Sequence, residues 1–151
     1  MIEVMSLCAY LMLGDSIAVG FSRHVPYAAN LAIVGNTPAG TLETLEGDLQ
    51  ACKGKPVVLS LGSNVLFTHQ PAQERMIKEV VGAIRRDGRA VYVLPVPARG
   101  KYTTKAHSYN RFLRGLQGVK VLKDLPAGCL TRDSVHVKSR CYRSYWRKEL
   151  K

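Results

Sequence analysis

Leu7-Cys8-Ala9-Tyr10-Leu11-Met12-Leu13-Gly14-Asp15-Ser16-Ile17 is the stretch that decides the fold. The apolar run over 7–13 is strand-like, and it stops at a glycine. An aspartate and a serine follow, and 16–23 then reads as a short helix halted before Pro26. A buried strand that turns through Gly-Asp-Ser into a helix places one hydroxyl at the edge of a sheet.

The same alternation continues downstream. A second strand is expected over 28–34, followed by a loop over 35–40. The segment 41–49 is helical, with Leu42, Leu45 and Leu49 at three- and four-residue spacing. Pro56-Val57-Val58-Leu59-Ser60-Leu61 is a third strand. The longest helix, over 72–86, puts Met76, Ile77, Val80, Val81 and Ile84 on one face and closes at Asp87-Gly88. A fourth strand over 90–94 ends at Pro95 and Pro97. The basic stretch Ala98-Arg99-Gly100-Lys101-Tyr102 then leads to a helix over 106–116, a short fifth strand over 119–122 and a final helix over 138–150 that carries Trp146.

Five strands alternating with helices imply an α/β fold in three layers, a parallel sheet with helices on both faces. Right-handed crossovers favour a flavodoxin-like strand order of 2-1-3-4-5. No repeat, low-complexity tract or second hydrophobic core divides the chain, so 1–151 is expected to form one domain. Ligands of such sheets bind beyond the carboxyl ends of the strands, at the switch point between strands 1 and 3. Ser16, Gly35 and Asn64 follow strands 1, 2 and 3 and therefore converge on that edge.

A serine needs an adjacent imidazole, oriented by a carboxylate, before it acts as a nucleophile. Asp133-Ser134-Val135-His136 supplies both from one short segment. The spacing lets the carboxylate reach one ring nitrogen while the other faces Ser16. Candidate oxyanion donors are the Ser16 N–H, the Gly35 N–H and the Asn64 side-chain amide in Gly62-Ser63-Asn64.

These blocks resemble the consensus of the SGNH (GDSL-type) hydrolases, which include esterases, lipases, thioesterases and carbohydrate deacetylases. Gly14-Asp15-Ser16-Ile17 is similar to the first block and Gly35-Asn36-Thr37 to the second, with Gly40 as its fallback. Gly62-Ser63-Asn64-Val65 resembles the third, except that Val65 stands where the family has Asp. Asp133 and His136 resemble the fifth, and Tyr142 and Trp146 the closing helix. The resemblance spans nearly the whole chain, in order. It implies Ser16 as nucleophile, His136 as base and Asp133 as its orienting carboxylate. Gly35 and Asn64 would join the Ser16 amide in an oxyanion hole, Asp15 would hold the turn, and Val65 would alter the loop geometry.

Composition narrows the substrate. Residues 1–75 hold 4 Lys/Arg against 6 Asp/Glu, whereas 76–151 hold 18 against 5. So uneven a charge implies an anionic partner: an acidic glycan or cell-wall polymer, a lipid surface or nucleic acid. A basic rim is expected from Arg99, Lys101 and Tyr102 after strand 4 and from Arg132 and Lys138 beside the Asp133–His136 segment. His69, just after the third block, is a further candidate substrate contact, while His24 and His107 sit near helix ends and read as solvated.

A chain of 151 residues leaves little room for a lid or a deep lipid tunnel, which favours a small acyl ester such as an O-acetyl group. Peptidoglycan is one such polymer, and small basic proteins of this kind suit phage lysis or virion roles. A different reading is a catalytically idle module that binds nucleic acid or an anionic polymer through Arg140, Arg143, Arg147 and Lys148 with the aromatics between them. The first strand's loop lacks a phosphate cradle, and GxGxxG and P-loop motifs are absent, so no nucleotide or flavin cofactor is implied.

No metal is implied either, because no histidines and carboxylates recur at ligand spacing. The N-terminal run lacks a basic n-region, carries Glu3 and is too short to span a bilayer, so it reads as core rather than as an export signal. Cys8, Cys52, Cys129 and Cys141 show no CxxC spacing and are expected as reduced, partly buried thiols. Cys129 with Cys141 is the pair an oxidising compartment could close.

Overall fold

A computed structural model describes residues 7–98, 100–131 and 136–150. Five parallel strands, β1 (Tyr10–Gly14), β2 (Ala28–Asn30), β3 (Val57–Ser60), β4 (Val91–Val93) and β5 (Val119–Val121), form one sheet in the order β2-β1-β3-β4-β5. The order is the one expected from right-handed crossovers. Although β2 is short, its ladder continues: Leu31 N–H donates to the Met12 carbonyl at 3.0 Å and Ile33 N–H to Gly14 at 2.9 Å.

Alternation along the central strands splits the core in two. Leu11, Leu13, Val57 and Leu59 face one layer, built from α2 (Pro38–Asp48), α3 (Gln70–Arg86) and α4 (Thr103–Arg114). Met12 and Val58 face the other, where α1 (Ser16–Ser22) packs beside the closing segment. Ile77, Val80, Val81 and Ile84 of α3 are buried as their spacing predicts. The closing segment is not one regular helix. A helical turn at Ser139–Cys141 passes into a π-helical turn at Tyr142–Trp146 and a 3₁₀ turn at Arg147–Glu149. Its aromatics are nonetheless core: Phe21 of α1 stacks on Tyr142 and meets Trp146 edge-on, each at 5.6 Å between ring centres. Trp146 Nε1–H donates to the Lys123 carbonyl at 2.8 Å.

The expectation of reduced thiols is overturned. Cys8 is bonded to Cys52 and Cys129 to Cys141, with Cα atoms 5.7 and 5.8 Å apart. Sequence spacing could not reveal the first bond, because the fold brings together residues 44 positions apart. It ties the residues before β1 to the segment after α2. Beyond β4, the buried Asn110 side chain clamps the loop, accepting from Val96 N–H at 2.7 Å and donating to the Val96 carbonyl at 2.9 Å.

Candidate active site

The turn that presents Ser16 is held from beneath. Gly14 has φ +110°, and a Cβ there would overlap the Ser60 carbonyl, so the β1–β3 approach requires glycine. Asp15 is fully buried and caps α1: its Oδ1 accepts from Ile17 N–H at 3.0 Å and from the Ser60 hydroxyl at 2.7 Å. It therefore locks the end of β1 to the end of β3, the turn-holding role the resemblance implied. Ser16, the first residue of α1, is half-buried.

Two loops beside Ser16 are stitched together. Gly35 is exposed at φ +82°, at the third position of a turn closed by Asn36 N–H donating to the Ile33 carbonyl at 3.1 Å. Asn64 Nδ2 donates to the Asn36 carbonyl at 2.9 Å, tying the loop after β3 to the loop after β2. Asn36 Nδ2 donates in turn to Thr41 Oγ1 at 3.2 Å, and its Oδ1 accepts from Thr37 N–H at 2.9 Å. Val65, where the family pattern has Asp, is buried among the α3 and α4 side chains.

His136 is exposed, and the described residues around it are tied together. Leu130 and Val137 form an antiparallel bridge. Thr131 N–H donates to the His136 carbonyl at 2.9 Å, Lys138 N–H donates to Cys129 at 2.7 Å, and the Cys129–Cys141 bond lies beside them. Ser16 and His136 line one polar cleft together with Arg23, His24, Val34, Ser139 and Tyr142. Asp133, the expected orienting carboxylate, lies outside the described residues, as do Arg132 and Arg99 of the expected basic rim.

The remaining expected contacts are placed elsewhere. His69 is exposed at the N-terminus of α3, Lys101 sits over the Tyr102 ring at 5.2 Å, and Tyr102 packs on the α3–α4 side of the core. None of the three lines the Ser16–His136 cleft. A more apolar hollow, walled by Pro95, Pro97, Leu125, Pro126 and Leu130, opens beyond β4 and β5, but neither Ser16 nor His136 borders it. The polar cleft is the one that Ser16 and His136 share.

Sequence reasoning missed His24. It is half-buried, stacks on Tyr142 at 5.6 Å and 24°, and borders the cleft. Burial, then the charges of Arg143, Arg147 and Arg23, hold its pKa below the ordinary histidine value. Tyr142 donates to the Ile17 carbonyl at 3.2 Å; burial first, and then the nearby Asp15 carboxylate, raises its pKa and keeps it a neutral donor. A histidine at a helix end gives no signal of this by itself, because its ring partner comes from the far end of the chain.

No protein-family model matches the sequence, and no curated protein matches it by sequence comparison. Solved structures do match in shape. A GDSL-like lipase from Bacteroides thetaiotaomicron VPI-5482 aligns at a TM-score of 0.74 and 15% identity, over 94% of this chain and 90% of its own. An acetyl xylan esterase, AlAXEase, aligns at 0.73 and 18% identity, over 89% and 93%. An acetylxylan esterase from Geobacillus stearothermophilus aligns at 0.71 and 16% identity, over 89% and 88%. With the strand order and block positions described above, these likenesses establish that the chain has the SGNH (GDSL-type) hydrolase fold.

Proposed function

We propose that the protein is a serine carboxylic-ester hydrolase that removes a small acyl group, such as O-acetyl, from an anionic glycan or cell-wall polymer. The observation that carries this reading is the shared cleft of Ser16 and His136, at the sheet edge where the fold concentrates its ligand contacts. His136 takes the Ser16 hydroxyl proton as Ser16 attacks the ester carbonyl, and Asp133 orients the imidazole. The Ser16 and Gly35 amides and the Asn64 side chain receive the oxyanion. The protonated His136 then delivers its proton to the departing alcohol, and water releases the acyl group by the reverse sequence. The neighbours named as acetylxylan esterases and a GDSL-like lipase support ester chemistry on this scaffold.

The open, polar cleft supports a short acyl group over a long lipid chain. Exposed Arg140, Arg143, Arg147 and Lys148 on the closing segment support an anionic substrate. They do not equally support a nucleic-acid platform, because Tyr142 and Trp146 between them are buried and offer no face for base stacking. With its two disulfides, the chain suits work in an oxidising setting such as a cell envelope, where a phage-type lysis enzyme on peptidoglycan would also act.

The test is hydrolysis of p-nitrophenyl acetate and of O-acetylated peptidoglycan by the wild type and by Ser16→Ala. Turnover that disappears in the variant is the expected result. Equal rates in both proteins, or none in either, would overturn the reading.

A further inference from the structure

A cationic cluster stands at the edge of the cleft, with Arg23 in its wall and no ion pair to a carboxylate among the described residues. Arg23 follows α1 directly and lines the cleft with His24, Ser16 and His136. Arg143, on the closing segment, brings Nη1 to 3.4 Å from His24 Nδ1, so its N–H donates to a neutral imidazole. Arg147 is close enough that its charge, with those of Arg143 and Arg23, disfavours the His24 cation. The ion pairs among the described residues are Arg89–Asp87 and Arg114–Asp124, and neither involves this cluster. One guanidinium therefore touches the His24 imidazole and two more act on it through their charge, with no carboxylate among the described residues paired to any of the three.

One member of the cluster, His24, is held in place. His24 stacks on Tyr142, Tyr142 is pinned to the Ile17 carbonyl, and Gly20 leaves the space that the Tyr142 ring occupies. Recognition groups presented from a packed ring lose less freedom on binding than groups on free side chains.

We infer that Arg23, in the cleft wall, and Arg143, which meets His24 from behind it, form an anion subsite at the edge of the cleft that takes a carboxylate on the alcohol portion of the substrate. The inference rests on the proposed ester hydrolysis: if the transferred acyl group is small and uncharged, the acid belongs to the sugar that bears it. Arg forks suit carboxylate oxygens, and a charge-assisted contact of this kind is worth about a tenfold preference. Being exposed, the guanidiniums lose that preference as salt rises.

The experiment compares meta-acetoxybenzoate with its neutral match, meta-acetoxybenzamide, for the wild type, Arg23→Gln, Arg143→Gln and the double variant. Rates are corrected for the spontaneous hydrolysis of each ester. The expected result is an anion-over-amide ratio in kcat/KM of about ten at low salt, reduced in each single variant and near one in the double. A wild type without preference overturns the inference, and so does a double variant that loses activity on both esters while keeping the ratio. The same pair is titrated into Ser16→Ala with and without Arg23→Gln by calorimetry. If the wild type hydrolyses neither ester, the esterase reading falls while the subsite is still decided: tighter binding of the benzoate that Arg23→Gln abolishes supports it, and equal affinities overturn it.

Discussion

The Ser60 hydroxyl donates to Asp15 Oδ1 at 2.7 Å, joining the carboxyl ends of the two central strands across 45 residues of sequence. The same oxygen accepts from Ile17 N–H, so one carboxylate fixes both the β1–β3 edge and the first turn of the helix that begins at Ser16. Asp15→Ala removes the helix cap and strands a buried hydroxyl. The expected cost is about 2–4 kcal/mol, from a lost cap plus an unsatisfied polar group. Urea denaturation of Asp15→Ala, Ser60→Ala and the double variant checks this. A coupling energy of about 1 kcal/mol or more is expected between the two sites, whereas additive losses would mean that the hydrogen bond contributes nothing of its own.

Gly20 and Gly47 make opposite predictions for the same substitution. In a helix interior Gly→Ala ordinarily stabilises by about 1 kcal/mol. A Cβ at Gly47 meets nothing within 4 Å, so Gly47→Ala should follow the rule. A Cβ at Gly20 would run into the Tyr142 hydroxyl and ring, which are buried and cannot swing away. Gly20→Ala should therefore destabilise by roughly 1–3 kcal/mol, as overpacking does. Thermal melts of the two variants should move in opposite directions.

Strand order and the placement of Ser16, Gly35 and Asn64 were legible because each depends on local pattern: short apolar runs, helical spacing between them, and a glycine where each of the three loops turns. That Asp15 holds the turn was implied by the family resemblance, whereas its bond to the Ser60 hydroxyl was not legible. What stayed hidden depends on contacts between distant parts of the chain. Cys8 meets Cys52 only once α2 is packed, and Asn110 reads as an ordinary helix residue until its amide is seen bridging Val96. A basic rim was expected both after strand 4 and beside the Asp133–His136 segment; Lys101 and Tyr102 stand away from the cleft, and Arg99 and Arg132 lie outside the described residues. A basic group that local pattern did not show lies where α1 meets the closing segment, because Phe21, Tyr142 and Trp146 pack there and bring Arg143 and Arg147 toward His24.

The two disulfides should differ in what they protect. Cys8–Cys52 spans 44 residues and Cys129–Cys141 spans 12. By loop-closure entropy their loss costs about 4 and 3 kcal/mol respectively. The shorter loop, however, contains His136, and its bond lies beside the Thr131–His136 and Lys138–Cys129 hydrogen bonds that hold it. Cys8→Ser/Cys52→Ser should thus lower the melting temperature more, while Cys129→Ser/Cys141→Ser should lower ester turnover more at a temperature where both variants remain folded. A Cys8/Cys52 variant with the larger loss of turnover would contradict this assignment.

Asn64 is the group most open to a direct test of oxyanion stabilisation. One of its two amide hydrogens donates to the Asn36 carbonyl, which orients the side chain. The second N–H, set by the planarity of the amide, is the one that the proposed mechanism assigns to the oxyanion. An oxyanion donor acts on the charge that develops in the transition state, so its loss lowers kcat and leaves KM nearly unchanged. Asn64→Ala should reduce kcat on p-nitrophenyl acetate by about 10²–10³. Asn64→Asp, which keeps the shape but supplies a carboxylate in place of a donor, should do no better at neutral pH. If the loss fell on KM instead, Asn64 would be binding the ground-state ester, and the oxyanion would be served by the Ser16 and Gly35 amides alone.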